Sequence, residues 1–160
     1  MDETKDQVTV IFKYHSPVLD EAVEEELWAK PVDTTAGSYE LVSIPFYGLP
    51  LATADQFEAQ IDAQDGRLTY QNTLRNSGNS VVVVALVQDD GDHASIRENL
   101  AELGCRSEVL NSHYFVAEVP KTVFYGPVRD LLNAYEDQEV AEFAESRLSA
   151  KHQSDLRRHK

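Results

Sequence analysis

Val81-Val82-Val83-Val84-Ala85-Leu86-Val87 is the longest apolar run in the chain. Seven residues is the length of a strand and far short of the roughly 20 needed to cross a bilayer. Apolar on both faces, the run predicts a central strand covered on two sides. Asn76-Ser77-Gly78-Asn79 supplies the turn that leads into it. Beyond it, Asp92 is a candidate N-cap for a helix carrying Ile96, Leu100 and Leu103, closed by Gly104. Cys105–Leu110 and Tyr114–Val119 read as one bent strand or as a hairpin around Asn111-Ser112-His113. A last helix opens at Thr122 or Pro127, with an apolar stripe of Val128, Leu131, Leu132, Tyr135, Val140, Phe143 and Ala144. The residues after Leu148 show no apolar periodicity and read as a frayed tail.

Ahead of the central strand the rhythm is β-rich. Val8–Tyr14 alternates through Val8, Val10 and Phe12. Leu19–Trp28, half of it Asp or Glu, reads as a short helix or an irregular acidic turn. Trp28–Val32 and Ser38–Ile44 flank a turn-rich segment, and Pro45 and Pro50 end the second of these strands. Phe57–Ala63 and Arg67–Leu74 straddle Asp65-Gly66, a strong short hairpin signal. The expected fold is α+β: a small curled sheet or barrel followed by a ferredoxin-like β-α-β-α half. In boundaries, 1–7 is a flexible N-terminus and 8–148 a single domain with a β-rich lobe (8–80) and a β-α-β-α lobe (81–148). Residues 149–160 form a basic tail.

Charge bounds the partners. The chain has 28 acidic and 14 basic residues, a formal net charge of −14. Residues 147–160 hold five of the bases against the single acid Asp155, leaving −18 on the remainder. Such a surface repels phosphate backbones and anionic membranes and attracts basic proteins. Cys105 is the only cysteine, so no internal disulfide forms, and the polar, acidic start is unlike a secretion signal. A cytoplasmic protein that binds neither nucleic acid nor membrane is expected.

Leu27-Trp28-Ala29-x-Pro31, Gly37-x-Tyr39-x-Leu41 and Ile44-Pro45-Phe46-Tyr47 resemble the opening of the domain-of-unknown-function family 4265. In that family an acid lies eight positions after the aromatic of the Pro-Phe-Tyr motif. Asp55 stands there in this chain, and Ser77-Gly78-x-Ser80 matches the turn into the central strand. Leu103-Gly104-Cys105 continues the resemblance, which covers roughly residues 8–145. One position departs from it: Ala54 stands where the family usually has Gly. Some members look like immunity proteins encoded beside bacterial toxins, so the resemblance implies a toxin as partner.

No constellation names a reaction. The five histidines sit in no motif with Ser or Cys, and a Cys105–His113 pair would need the strand between them to fold back. Asp89-Asp90-Gly91-Asp92-His93 lacks the spacing of a calcium loop and reads as a turn and cap. No glycine-rich phosphate loop is present, and no catalytic residue, metal or cofactor is expected. Ile44–Leu51 is either a plug of the core or a rigid aromatic ridge. The acidic runs remain. On a continuous last helix, Glu136/Glu139 and Glu142/Glu145 are like-charge i,i+3 neighbours, each pair costing a few tenths of a kcal/mol. Tolerated repulsion suggests a binding face. The expected function is an immunity protein neutralising a toxin with a basic cleft. Its expected contacts are Glu21, Glu24, Glu25, Tyr47, Asp89, Asp90, Asp92, Tyr135, Glu136 and Asp137. The alternative is a non-catalytic regulatory or adaptor domain that binds a small ligand or self-associates.

Overall fold

The computed structural model describes residues 6–88 and 93–159. The chain divides into two compact units, Met1–Ser77 and Gly78–Lys160.

The first unit is a closed barrel of β1 (Val8–Ser16), β2 (Glu21–Asp33), β3 (Ser38–Leu41), β4 (Gln56–Ile61) and β5 (Leu68–Arg75). Neighbouring strands pair antiparallel, and a parallel bridge, Ile11↔Thr69, closes β5 onto β1. Val10, Phe12, Leu27, Ala29, Leu41, Phe57 and Ala59 fill the interior. Phe12 meets Phe57 edge-on at 5.3 Å and stacks on Tyr70 at 5.1 Å, the geometries that favour aromatic pairs. Gly66 takes the left-handed φ that the β4–β5 turn demands.

Strand β2 replaces the helix or turn expected over Leu19–Trp28. It pairs with the whole of β1, from Ser16↔Glu21 to Val8↔Ala29. Its glutamates alternate across the sheet: Glu25, Leu27 and Ala29 are buried, whereas Glu24, Glu26 and Trp28 are exposed. A carboxylate at an inward position hid the two-residue period.

The second unit runs β6 (Ser80–Leu86), α1 (His93–Glu102), β7 (Arg106–Asn111), β8 (Tyr114–Val119), α2 (Tyr125–Asp137), β9 (Ala141–Arg147), α3 (Ala150–Arg158). The sheet order is β7-β8-β6-β9, antiparallel throughout, with the apolar run in the expected interior position. This is a complete β-α-β-β-α-β unit, more than the half-unit expected. Val82, Val84, Phe115 and Ala117 pack with Ile96 and Leu100 of α1 and with Tyr125, Val128 and Leu132 of α2.

The structure departs from expectation at two further places. The last long helix stops at Asp137, and Phe143 and Ala144 belong to β9. Glu139 takes a left-handed φ of 58°. The Glu139 N–H donates to the Glu136 carbonyl and the Val140 N–H to the Tyr135 carbonyl, both at 3.0 Å. That is a Schellman ending with glutamate where glycine is usual. The tail is not frayed: Ser149 caps α3, accepting the His152 N–H, and His152 and Asp155 are buried beneath it.

Helix α3 also finishes α2. Phe124, at the N-cap of α2, makes no side-chain cap bond. Asp155 accepts the Tyr125 N–H at 3.1 Å instead and takes Lys151 Nζ at 2.8 Å. A negative group at the positive end of α2 is stabilising.

Candidate functional site

In the first unit the expected contact residues are mostly engaged internally. Glu25 is 5% exposed. It accepts the Tyr14 hydroxyl at 2.6 Å and the Phe46 N–H at 2.7 Å. Burial raises its carboxyl above the usual range, against the pull of those two bonds. As a partner contact Glu25 is therefore excluded: it ties the Phe46 loop to the barrel. Both oxygens of Glu24 accept from Arg67 Nη2 at 3.1 Å, and Lys13 lies 4.0 Å away. Arg67 and Lys13 also hold Asp65, whose carboxyl is drawn down to about 2, chiefly by the Arg67 N–H and guanidinium. Glu24 is thus largely neutralised. Glu21 is exposed at the start of β2.

Tyr47 is half-buried, with its carbonyl accepting Ser16 Oγ at 2.5 Å and its ring 6.3 Å from Phe46. Ile44, Leu49 and Leu51 are buried, so Ile44–Leu51 serves the core. Gly48 has φ +88°, and a Cβ there would stand 2.9 Å from Pro17.

Asp55 has a structural role. Its carboxylate, 1% exposed, accepts the Ala52 N–H at 3.0 Å and the Ser77 N–H at 2.8 Å, while Ser77 Oγ donates to the Thr53 carbonyl. The turn before it keeps a left-handed φ of 68° with Ala54 in place. Alanine bears a strain there that glycine avoids.

The second unit carries an exposed acidic feature. Glu136, Glu139 and Glu142 surround a hollow of about 290 Å³ with Val87 and Ala141. Val87 is 52% exposed. Glu136, Asp137, Glu139 and Glu142 are all exposed and, among the described residues, make no ion pair. Glu136 and Asp137 lie in the last turn of α2, where the helix dipole already disfavours negative charge. Tyr135 is half-buried behind them, its hydroxyl accepting from Asn99 at 2.6 Å. Glu145 is not part of this face: it accepts the Tyr125 hydroxyl in a very short bond and pairs with Arg129.

The sequence named Tyr135, Glu136 and Asp137 as contacts and counted Glu139 and Glu142 in the same acidic run, but gave Val87 no role. On one continuous helix Glu136 and Glu139 would already be neighbours, and the turn at Glu139 adds Glu142 and Val87 to the same hollow. Asp89, Asp90 and Asp92 lie outside the described residues.

One buried pair has the chemistry of a nucleophile and its base. Ser80 Oγ lies 2.6 Å from His152 Nδ1, and both residues are fully buried. Nε2 faces the carbonyls of Pro120 (3.0 Å) and Val123 (3.2 Å), so it carries the proton and Ser80 donates to Nδ1. Ser80 Oγ in turn accepts the Ser149 N–H at 2.9 Å. Burial lowers the His152 pKa, favouring the neutral ring. With every polar atom engaged and no exposed surface, the pair braces α3. Sequence reading missed it because the partners lie 72 positions apart.

Cys105 is buried, and burial raises its thiol to about 11, so it stays protonated. His113 is exposed in the β7–β8 turn, at the far end of the strand that follows Cys105. Among the described residues no group of three or more His, Cys, Asp or Glu is placed to hold a metal ion. No helix there is long and apolar enough to cross a membrane.

Residues 25–143 match the family described as Domain of unknown function (DUF4265). No curated protein matches the chain. A solved structure, described as a hypothetical protein from Neisseria gonorrhoeae, superposes with a TM-score of 0.76. It is 17% identical, over 89% of this chain and 96% of that one. At that identity the likeness is one of fold.

Proposed function

The chain belongs to the DUF4265 family, and for this member we propose a non-catalytic role, neutralising a cognate bacterial toxin domain by binding it. The observation that carries the reading is the hollow of Glu136, Glu139 and Glu142 around exposed Val87, with no cation of the described residues paired to it. Keeping such carboxylates at a helix C-terminus, one of them in a left-handed conformation, costs stability. A basic side chain from a partner relieves part of that cost. An arginine or lysine head meets the carboxylates while its aliphatic stem lies on Val87. Toxins that act on nucleic acids carry basic clefts. An acidic partner is steered into such a cleft and occludes it without chemistry. Tyr135, held by Asn99, gives the face a rigid aromatic support. The cytoplasm is the compartment this role requires.

The test is co-expression with any toxin domain encoded beside this gene. The chain should rescue growth and co-purify with the toxin. The double reversal Glu139→Lys/Glu142→Lys should abolish both, whereas Glu21→Lys in the other unit should leave them intact. Failure of rescue by the unaltered chain, or rescue indifferent to the double reversal, refutes the assignment.

A further inference from the structure

We propose that β7 and the groove beside α1 form a second docking site, distinct from the acidic hollow. It would take an extended, acid-bearing segment of a protein partner as an added strand of the sheet. β7 is an edge strand of the second sheet. Among the described residues, none in β7 has a backbone hydrogen-bond partner beyond β8. The strand Arg106-Ser107-Glu108-Val109-Leu110-Asn111 contains neither proline nor lysine, two of the residues that commonly block edges. Val109 and Leu110 on it are 36% and 40% exposed.

Alongside runs a groove of about 430 Å³, lined by Ala94, Arg97, Glu98 and Ala101 of α1 and by Cys105, Arg106 and Ser107. Two alanines keep the helix wall low. A free edge beside a groove is the arrangement by which extended peptides bind: main-chain bonds hold the strand, and alternate side chains enter the groove.

Charge selects the occupant. Arg97 is half-buried, and its Nε donates to Ser107 Oγ at 2.8 Å, which fixes the guanidinium over the groove. It makes no ion pair among the described residues, in a chain with two acids for every base. Leaving a partly buried guanidinium without a counter-charge is unfavourable, and a carboxylate on the incoming strand supplies one. Arg106 is already engaged with Glu118 at 2.9 Å. Glu98 is the groove's one carboxylate, and it disfavours a second acid on the ligand. The expected ligand has one acidic side chain flanked by β-branched residues.

The probe is the blocked hexapeptide Thr-Val-Glu-Val-Thr-Val, titrated into the isotope-labelled full chain and followed by amide chemical shifts. Saturable changes should map to residues 106–111 and along α1. A lysine in place of the peptide's glutamate, or Arg97→Gln in the protein, should weaken binding about tenfold or more, the loss of one charge-assisted contact. A proline in place of the central valine should abolish it. Glu98→Gln should strengthen binding severalfold, so the idea stays exposed if Arg97→Gln proves unfolded. No shift at β7 at millimolar peptide overturns the proposal, as does binding indifferent to the peptide's charge. A dimer in sedimentation with β7 at its interface overturns it too, since Arg106 and Glu108 of a second copy would then be the true occupants of the edge.

Discussion

Replacing Glu139 with glycine should stabilise the second unit while weakening its proposed function. Glu139 closes α2 with φ 58°, a conformation that costs an L-residue about 1–2 kcal/mol. Glycine removes that cost but loses about 0.5–1 kcal/mol through its greater freedom in the unfolded chain. Taking a carboxylate away from Glu136 and from the helix C-terminus returns a few tenths of a kcal/mol. The net expectation is about 1 kcal/mol of added stability. For a chain of this length it appears as a rise in Tm of about 2–4 °C. Urea titrations read by circular dichroism, with an unchanged denaturant slope, give the same quantity independently. Glu139→Asn should recover part of the gain, because asparagine tolerates the left-handed region. Glu139→Lys keeps the backbone strain and changes only the charge. The three variants together separate conformation from electrostatics. A neutral or destabilising Glu139→Gly at constant slope would refute the reasoning, since the turn would then carry no strain to relieve. Toxin rescue should fall with glycine and asparagine alike and vanish with lysine.

Ala54→Gly should raise stability by about 0.5–1 kcal/mol on the same conformational ground in the barrel; an unchanged urea midpoint would contradict the strain assigned to φ 68°. Glu25 titrates higher in the folded barrel than in the unfolded chain. As pH rises from about 4.5 the unfolded state releases its proton first, so stability declines until the raised folded value is passed and then levels. Glu25→Gln, which can still bond Tyr14 and Phe46, should flatten that slope when unfolding is followed by the fluorescence of Trp28, the single tryptophan; persistence of the slope would point to another group. His152 has the opposite sense, because its folded pKa is depressed. Stability is complete above the unfolded value of about 6.5 and is lost as pH falls towards the folded one. His152→Gln should remove this acid sensitivity even where it lowers stability overall, and an unaltered pH profile would count against the brace.

The parts of the fold legible in the sequence are those whose apolar period was intact. The run at Val81 required a covered strand, and Asp65-Gly66 required a hairpin; both are present. Two of the failures, β2 and α3, share one cause, polar groups facing inward. Glu25 interrupts the alternation of β2, and its hydrogen bonds to Tyr14 and Phe46 become visible only once the barrel closes. In α3 the inward positions are His152 and Asp155, so no apolar stripe announces a helix, although Ser149 was available as a cap signal. The end of α2 was hidden because a glutamate occupies the position where glycine marks a stop. The acidic site was half legible for the same reason. Composition pointed to the acidic run, but the addition of Glu142 and Val87 to the hollow of Glu136 and Glu139 depends on that unmarked turn.

Because the amide at the head of α2 is satisfied by Asp155 from α3, undocking of α3 leaves the first turn of α2 without its cap. Hydrogen exchange at the Tyr125 amide therefore reports undocking of α3, a segment with no apolar signature of its own. A partner that pulls on α3 would loosen the first turn of α2 before it disturbed the sheet beneath. The second unit is in this sense built with a release point at its helical layer.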